Sequence, residues 1–519
     1  MLLLAIVGVI ALTAVLRLVP QWLAPGGAGV DHWYWKTYVE TYRRERTFPP
    51  ILPQYVLDEH QWYPPLFPLL MATLPRQVFD SSSHAIAIVI DLCRLILLLG
   101  VAYWQSDGNL GVIVLAGLIY ATVPIQTSYN IQLNPRGLGA LMLEVILMLL
   151  LWIYSLHGSW WLWVPVVVLS GLILLTHKMT TQVFWFVVLG TAIIYRRWLL
   201  LFLIPGSMAA AFVLSFGFYR RVLRAHWDIV SFWNRNWRWI GADQLRESHI
   251  YGDGSYERPE KLHRSGLKGF VWQLYVLFGF NPAVWIACLL VYERLALPSP
   301  MLIYPTYLLV WLLLPCMFAL LTTFVSPLKC LGAGYLYVYN TSFLAALLLS
   351  LTFQYTRIPQ FSTPFVLLAL LLNVAGLVTY YVRFYHDQRS RVDTGLSAII
   401  DVLRPQSIGV VMCIPANWYE VVSYRTSHPV LWGGHGYGFK RLEPTWPRLR
   451  VPIAELLNRY KVRYLLTMDG MLPSAFVADL PPARLVTHQN YRLYCFEQSA
   501  AVDLGQFPAD QRHKVAASH

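Results

Sequence analysis

Carboxylate, imidazole and cationic side chains recur where the long apolar segments of this sequence end. Asp31 and His32 follow the first such segment, and four more groups come later: Asp58-Glu59-His60, Asn134-Pro135-Arg136, Thr176-His177-Lys178 and Ser326-Pro327-Leu328-Lys329. A positioned carboxylate can accept a proton from a nucleophile, while arginine and lysine bind anions. Such residues also anchor helices at lipid headgroups, so each group alone has a structural explanation. The joint occurrence of five groups favours a shared site.

The segments that position these residues are strongly hydrophobic. Hydrophobic residues make up 57% of the 519 residues and charged residues only 13%, and the mean hydropathy is +0.49. A soluble domain needs more charge to cover its surface, so the excess apolar surface is expected to face lipid. The sequence therefore predicts an integral membrane protein. The net charge of +13 favours anionic partners such as lipid headgroups or phosphates. Nucleic acid is not expected, because the basic residues border the apolar segments.

About eleven helical membrane spans are predicted, since backbone groups in hydrocarbon have to be paired within their own segment. The spans are expected near 2–20, 84–104, 110–127, 137–156, 160–176, 182–196, 198–218, 269–291, 302–324, 335–354 and 362–383. The first span lacks a basic leader and a cleavage site, so we interpret it as a retained helix. Arg196, Arg197, Arg294 and Arg357 lie in connections on one side, which the positive-inside rule assigns to the cytoplasm.

Three regions follow from this organisation. Residues 1–384 are predicted to form the membrane domain, with extracytoplasmic loops at 21–83 and 219–268. Residues 385–500 alternate period-2 strands with short helices, which predicts an extracytoplasmic α/β domain with a mixed sheet. Residues 501–519 are polar and are predicted to be a disordered tail.

Two segments of the loops are rich in aromatic residues. The sequence DHWYWKTYVETYRRER has helical spacing, with Trp35, Tyr38 and Tyr42 on one face, and predicts a helix along the membrane interface. The segment 218–241 interleaves arginine with tryptophan, tyrosine and phenylalanine. It fits either an interfacial aromatic belt or a lid that stacks on sugars and contacts phosphate.

The layout resembles the GT-C superfamily of membrane glycosyltransferases. This superfamily includes protein O-mannosyltransferases, the oligosaccharyltransferase catalytic subunit and lipid A aminoarabinose transferases. The matching pieces are GVDHWYW after the first span, then YPPLFPLL, NPRGLGAL, LLTHKMT and PLKCLGAGYLYVY. One departure concerns the last piece, which in many bacterial relatives resembles LGEAERYLEY. Ala333, Tyr335 and Tyr339 stand here in place of the glutamates.

The resemblance implies transfer of a sugar from a polyprenyl-phosphate donor to a protein, lipid or glycan acceptor. The reaction would take place at the extracytoplasmic face of the cell membrane. Expulsion of phosphate needs cations more than a general acid, and Arg136, Lys178 and Lys329 would supply them, with His177 as a further contact. Asp31 would act as the base that deprotonates the acceptor.

Alternatives stay open for the site and for the function. Asp31 is a candidate ligand of Mg²⁺ or Mn²⁺ together with Asp58 or Glu59, with His60 as a further acceptor or metal residue. It is also a candidate helix cap. A non-catalytic subunit of a glycan assembly complex is favoured by the absent glutamates. A transporter of lipid-linked glycans would need midplane charges and an internal repeat, and few charged residues lie inside the spans: Arg17, Asp91, Arg94 and Glu144.

Overall fold

The computed structural model describes most of the chain and is predominantly helical. The described residues are 1–23, 29–57, 60–155, 158–237, 266–290, 303–355, 359–386, 392–433, 439–444, 451–472 and 474–496. Several predictions fall outside these residues. They concern Asp58 and Glu59, the arginines 294 and 357, positions 238–265 of the second long loop, and the tail at 501–519.

Among the described residues, seventeen α-helices precede the C-terminal domain. They are α1 (Leu2–Leu23), α2 (Val30–Glu45), α3 (Leu66–Thr73), α4 (Arg76–Ser82), α5 (Ile86–Gln105), α6 (Leu110–Thr122), α7 (Pro124–Asn130), α8 (Arg136–Ser155), α9 (Trp163–Leu174), α10 (Lys178–Ile194), α11 (Leu203–Leu214), α12 (Tyr219–Asn236), α13 (Gly266–Phe280), α14 (Pro282–Leu290), α15 (Ile303–Phe324), α16 (Ser342–Tyr355) and α17 (Pro359–His386). Short 3₁₀ helices cover Trp160–Leu162, Trp198–Phe202, Ser326–Leu331 and Gly334–Thr341.

Every segment predicted as a span coincides with a helix or a pair of helices. Among the described residues, six helices are long and apolar enough to cross a membrane: Leu2–Leu23, Ile86–Gln105, Arg136–Tyr154, Thr306–Phe324, Gly334–Thr352 and Thr363–His386. The number rises to eight if each of two bent pairs is one span. The other three predicted spans are shorter apolar helices: Trp160–Leu174, Lys178–Ile194 and Trp198–Leu214.

The segment predicted as a span over 269–291 forms a bent pair of helices. Helices α13 and α14 meet at an angle of 97°, and the break lies at Asn281-Pro282. Proline lacks a backbone N–H and cannot continue the helical ladder. The Asn281 side chain instead donates to Val338 O at 3.2 Å and to Ser342 Oγ at 3.0 Å, which fixes the bend against the following helices.

Four charged residues inside the helix bundle form one network. Arg17 Nε lies 2.8 Å from Asp91 Oδ2, and Arg94 Nη2 lies 2.6 Å from Glu144 Oε1. Arg94 Nη1 is also 3.6 Å from Asp91 Oδ1, so the two pairs are joined. All four side chains are buried, and each charge has a partner of opposite sign, as burial requires. We call these four residues the buried network.

The C-terminal domain is built on a small mixed sheet. Its elements are α18 (Thr394–Leu403), β1 (Val410–Ile414), α19 (Tyr419–Thr426), α20 (Phe439–Leu442), α21 (Ile453–Arg459), β2 (Val462–Met468), α22 (Ser474–Ala478), β3 (Ala483–His488) and β4 (Tyr491–Phe496). The strand order is β1-β2-β4-β3, with β1 parallel to β2 and the other pairs antiparallel. The predicted mixed sheet is confirmed. Strand β3 was not predicted, because it lies at the edge and is largely exposed.

Helix α2 packs against the C-terminal domain, and its predicted position along the membrane interface stays a prediction. Trp35 and Tyr38 are fully buried in a core shared with that domain. The Tyr424 hydroxyl of α19 donates to Glu40 of α2 at 2.6 Å. The backbone of the same loop also pairs with the domain, with Val56 N 3.0 Å from Val430 O. An aromatic helix face can be covered by protein or by lipid, and its sequence pattern is the same in both cases.

Candidate functional site

Segments far apart in the sequence meet where the helix bundle adjoins the C-terminal domain. The charges of Arg136, Lys178 and Asp31 all act on the His177 imidazole, as does His226. Asp31 and Arg136 also act together on the buried hydroxyl of Tyr63. Such electrostatic effects need neighbouring groups, so the N-terminal ends of α2, α8 and α10, the middle of α12 and the loop that carries Tyr63 converge. We call these residues the polar site: Asp31, Tyr63, Arg136, His177, Lys178 and His226.

Asp31 lies in the first turn of α2, whose start is fixed by a close approach between Gly29 and Gln132. A Cβ atom at residue 29 would lie 1.6 Å from Gln132 Oε1, and the φ angle there is +88°, so glycine is required. A carboxylate in the first turn is stabilised by the unpaired N–H groups of the helix. Burial raises the pKa of Tyr63, Asp31 raises it further and Arg136 lowers it, which places both charges beside this phenol.

Arg136 is the first residue of α8 and is positioned by an asparagine turn. Asn134 Oδ1 accepts the Arg136 backbone N–H at 3.0 Å, and Asn134 Nδ2 donates to Gln132 O at 3.0 Å. The guanidinium lies over the ring of Tyr129, 4.1 Å from the centroid. In the described part of the chain no carboxylate forms an ion pair with Arg136, so its charge is available to an anion.

His177 caps helix α10 as a neutral imidazole. Its Nδ1 accepts the Thr180 backbone N–H at 3.3 Å and lies 2.9 Å from Thr180 Oγ1. Burial lowers the pKa of His177 well below its ordinary value, and Arg136 and Lys178 lower it further. Because Nδ1 accepts, the neutral ring carries its proton on Nε2. Nδ1 therefore has a structural role as the cap of α10, and the predicted contact with phosphate depends on Nε2–H.

His226 was missed by the sequence analysis, although its spacing places it on a buried face. Helix α12 buries Val222 and Ile229, and His226 lies one turn from each. Burial lowers the pKa of His226 to about 3, and Lys178 lowers it further, so the ring is neutral at pH 7. Its buried Nε2 atom has no hydrogen-bond partner among the described residues. Arginines and aromatic residues dominate the segment 218–241, so the histidine among them was overlooked.

Lys329 lies near the C-terminal end of α12. Its ammonium is 4.7 Å from the centroid of the Trp237 ring, and burial lowers the pKa of Lys329. The same segment approaches the polar site through Gly332, where a Cβ would lie 3.3 Å from Met179 Cε. Met179 Sδ is in turn 3.9 Å from Arg136 Nη1. Met179 therefore lies between the Lys329 segment and Arg136.

The predicted acceptor or metal group at 58–60 is described only at His60. This imidazole stacks on Trp62, with 5.9 Å between ring centroids and 22° between planes. Arg221 of α12 lies 4.7 Å from the Trp62 centroid, so His60 belongs to an aromatic and cationic group. The described residues contain no group of three or more His, Cys, Asp or Glu side chains placed to hold a metal ion.

The polar site combines one carboxylate, two cations and two neutral imidazoles. Arginine offers a planar pair of donors to phosphate oxygens, and lysine offers a mobile point charge. A carboxylate placed beside such cations can accept a proton from a nucleophile. The arrangement therefore suits binding of an anion beside a base.

Neither the protein-family models nor the curated protein sequences contain a match to this chain. Solved structures do match. The Archaeoglobus fulgidus oligosaccharyltransferase in its apo form aligns with a TM-score of 0.56 at 12% identity, covering 89% of this chain and 69% of that chain. ArnT from Cupriavidus metallidurans, bound to undecaprenyl phosphate, aligns with a TM-score of 0.56 at 11% identity, covering 94% of this chain and 97% of that chain.

The chain shares the fold of these solved structures, as the resemblance to the GT-C superfamily predicted. The predicted architecture, a polytopic helical membrane protein followed by an α/β domain, is confirmed by these structures. Archaeoglobus AglB, in complex with an inhibitory peptide and dolichol phosphate, aligns with a TM-score of 0.53 at 12% identity, covering 90% of this chain and 69% of that chain. The Archaeoglobus oligosaccharyltransferase was also solved in complex with Zn and sulfate (TM-score 0.51, 14% identity, covering 88% of this chain and 68% of that chain).

Proposed function

We propose that this GT-C chain is a glycosyltransferase. It moves a sugar from a polyprenyl-phosphate-linked donor to a protein, lipid or glycan acceptor at the extracytoplasmic face of the cell membrane. The observation that carries the proposal is the meeting of Asp31 with Arg136 and Lys178 at one end of the helix bundle. ArnT bound to undecaprenyl phosphate and AglB bound to dolichol phosphate support a lipid phosphate as the donor carrier.

Arg136 and Lys178 bind the donor phosphate in this proposal. The Arg136 guanidinium is held over Tyr129 and has no carboxylate partner among the described residues. Two cations lower the free energy of the phosphate that leaves, so no acid is needed to protonate it. Lys329 adds a third positive charge, because its segment reaches Met179 beside Arg136. His177 Nε2–H can donate a further hydrogen bond.

Asp31 acts as the base. The acceptor hydroxyl or amine attacks the anomeric carbon of the sugar, and its proton passes to the Asp31 carboxylate. The bond between that carbon and the phosphate oxygen breaks, and the electron pair leaves with the polyprenyl phosphate. The two histidines of the polar site, His177 and His226, are neutral at pH 7. Among the described residues of this site, Asp31 supplies the carboxylate that can act as the base.

A divalent metal has no complete set of side-chain ligands in the described part of the site. Asp31 is not joined there by two further His, Cys, Asp or Glu side chains. Asp58 and Glu59, predicted to complete such a set, lie outside the described residues. We therefore assign no step to a metal.

A non-catalytic glycan assembly subunit is the second candidate. Its support is that Ala333, Tyr335 and Tyr339 supply no carboxylate where relatives have glutamates, and that Tyr335 and Tyr339 are buried. A transporter is disfavoured, because each charge of the buried network is fixed by a partner of opposite sign.

A transfer assay with the full-length protein in nanodiscs tests the proposal. Radiolabelled glucose, mannose and 4-amino-4-deoxyarabinose, each linked to undecaprenyl phosphate, serve as donors, and a membrane extract supplies acceptors. We expect one donor to lose its label to the acceptor fraction with release of undecaprenyl phosphate. Tight binding of undecaprenyl phosphate with no transfer from any donor would favour the non-catalytic subunit. Absence of both binding and transfer would contradict either candidate.

A further inference from the structure

The ring of Tyr339 lies close to the guanidinium groups of two arginines. The Arg94 guanidinium is 4.8 Å from the ring centroid, and that of Arg136 is 5.8 Å from it. Both distances are within the range of cation–π attraction. Tyr339 also packs edge-to-face against Tyr129, the ring that lies directly under Arg136. Two aromatic rings therefore hold the Arg136 side chain.

The two arginines differ in their other partners. Arg94 is paired with Glu144 and Asp91 and donates to Gln126 Oε1 at 2.8 Å. The same Gln126 donates through Nε2 to the carbonyl oxygen of Tyr339 at 3.0 Å, so the buried network fixes the position of this ring. The charge of Arg94 is balanced by carboxylates, whereas among the described residues Arg136 has aromatic contacts and no ion pair.

We propose that Tyr339 is a positioning residue for Arg136, held in place by the buried network. This inference rests on the proposed function, in which Arg136 binds the donor phosphate. A ring face attracts a guanidinium without neutralising its charge, so Arg136 is oriented and its full charge stays available to phosphate. A carboxylate at the same place would form an ion pair with the arginine and compete with the ligand. The tyrosine where relatives carry an acid is thus a different means of holding a cation.

Binding of undecaprenyl phosphate by the full-length protein in nanodiscs tests this role. Residue 339 is replaced by phenylalanine, 4-fluorophenylalanine and 3,4,5-trifluorophenylalanine, which keep the ring shape and withdraw electrons stepwise from its face. We expect Tyr339→Phe to bind nearly as the unsubstituted protein does, because the hydroxyl makes only a 3.4 Å contact with Asn130. Affinity should then fall about threefold or more across the fluorinated series, at constant thermal stability.

Two further variants complete the test. Tyr339→Glu should weaken binding about 10- to 100-fold, because its carboxylate would pair with Arg136. Tyr335→Phe is the control, because this tyrosine of the same 3₁₀ helix stacks on Phe280; it should bind normally. Equal affinities across the fluorinated series, with weakened binding by Arg136→Gln, would overturn this inference and leave the proposed function intact. Normal binding by Arg136→Gln would overturn the role of Arg136 and this inference together.

Discussion

The charged residues inside the helix bundle and those at its domain-facing end differ in how their charges are balanced. In the buried network each of the four side chains lies within 3.6 Å of a charge of opposite sign. At the polar site, Arg136 and Lys178 are accompanied by one carboxylate, Asp31, and by two neutral imidazoles. The first group has no net formal charge, and the second has, among the described residues, two cations and one carboxylate.

This difference separates residues that hold the fold from residues that meet a ligand. A buried ion pair is stable only as a pair, so its parts have to stay together. Arg136, which forms no ion pair among the described residues, keeps its attraction for an anion that arrives from outside. Substitutions in the buried network should therefore lower stability, whereas substitutions of Asp31, Arg136 and Lys178 should lower binding or turnover and leave stability unchanged.

Loss of Arg94 should have the largest effect on stability. Arg94→Gln leaves Glu144 as a buried carboxylate without its cation, which costs about 3–5 kcal/mol of folding free energy. Thermal unfolding in detergent micelles and the yield of folded protein measure the loss. The double variant Arg94→Gln/Glu144→Gln should recover part of it, because no unpaired charge remains. A single variant as stable as the unsubstituted protein would remove the contrast between the two groups.

Neutralising Arg136 or Lys178 of the polar site, or Lys329 beside it, should leave folding intact and weaken donor binding. Arg136→Gln, Lys178→Gln and Lys329→Gln each remove one charge-assisted contact, so affinity for undecaprenyl phosphate should fall about 10- to 100-fold. Arg220→Gln, an exposed arginine of α12, is the matched control and should bind normally. Unchanged affinity in all three variants would reduce these cations to anchors at the membrane interface.

The smallest expected effect is a dependence of stability on acid pH. The pKa of His226 is lowered from its ordinary value of 6.5 to about 3, so the unfolded chain takes up a proton near pH 6.5 and the folded chain does not. Stability should therefore decrease as pH falls from 7 to 5, by up to about 2 kcal/mol from this residue. His226→Gln should lose less stability over the same interval in thermal unfolding. An identical loss in both proteins would show that His226 is not buried as a neutral ring.

Much of the polar site could be predicted from the sequence, because ionisable residues at the ends of apolar helices gather at the same membrane face. Asp31, Arg136, His177 and Lys178 were found in this way, and the structure brings them together. Their individual roles stay predictions. The Lys329 ammonium lies over Trp237, a contact that sequence spacing could not indicate, and its role in phosphate binding stays a prediction.

Other features depend on contacts that no local pattern encodes. His226 shares a helix face with Val222 and Ile229, and the helical spacing of these residues could be recognised in the sequence. The segment that covers this face could not be predicted. The aromatic face of α2 gave no means to distinguish a covering domain from lipid. In the sequence, Tyr339 was notable only because it replaces a glutamate of the bacterial relatives. Its position near Arg94 and Arg136 depends on contacts among three separate helices, which the sequence does not reveal.

Turnover of the Asp31→Asn variant is the most direct test of the account. The change keeps the size and hydrogen bonding of the side chain and removes the proton acceptor, with Asp80→Asn, an aspartate paired with Arg76 outside the site, as the control. In single-turnover transfer from the labelled donor that the unsubstituted protein accepts, we expect the rate to fall about 10²- to 10⁴-fold. Affinity for undecaprenyl phosphate should stay unchanged, because it depends on the cations. Near-normal turnover in Asp31→Asn, with expression intact, would contradict the role of Asp31 as the base.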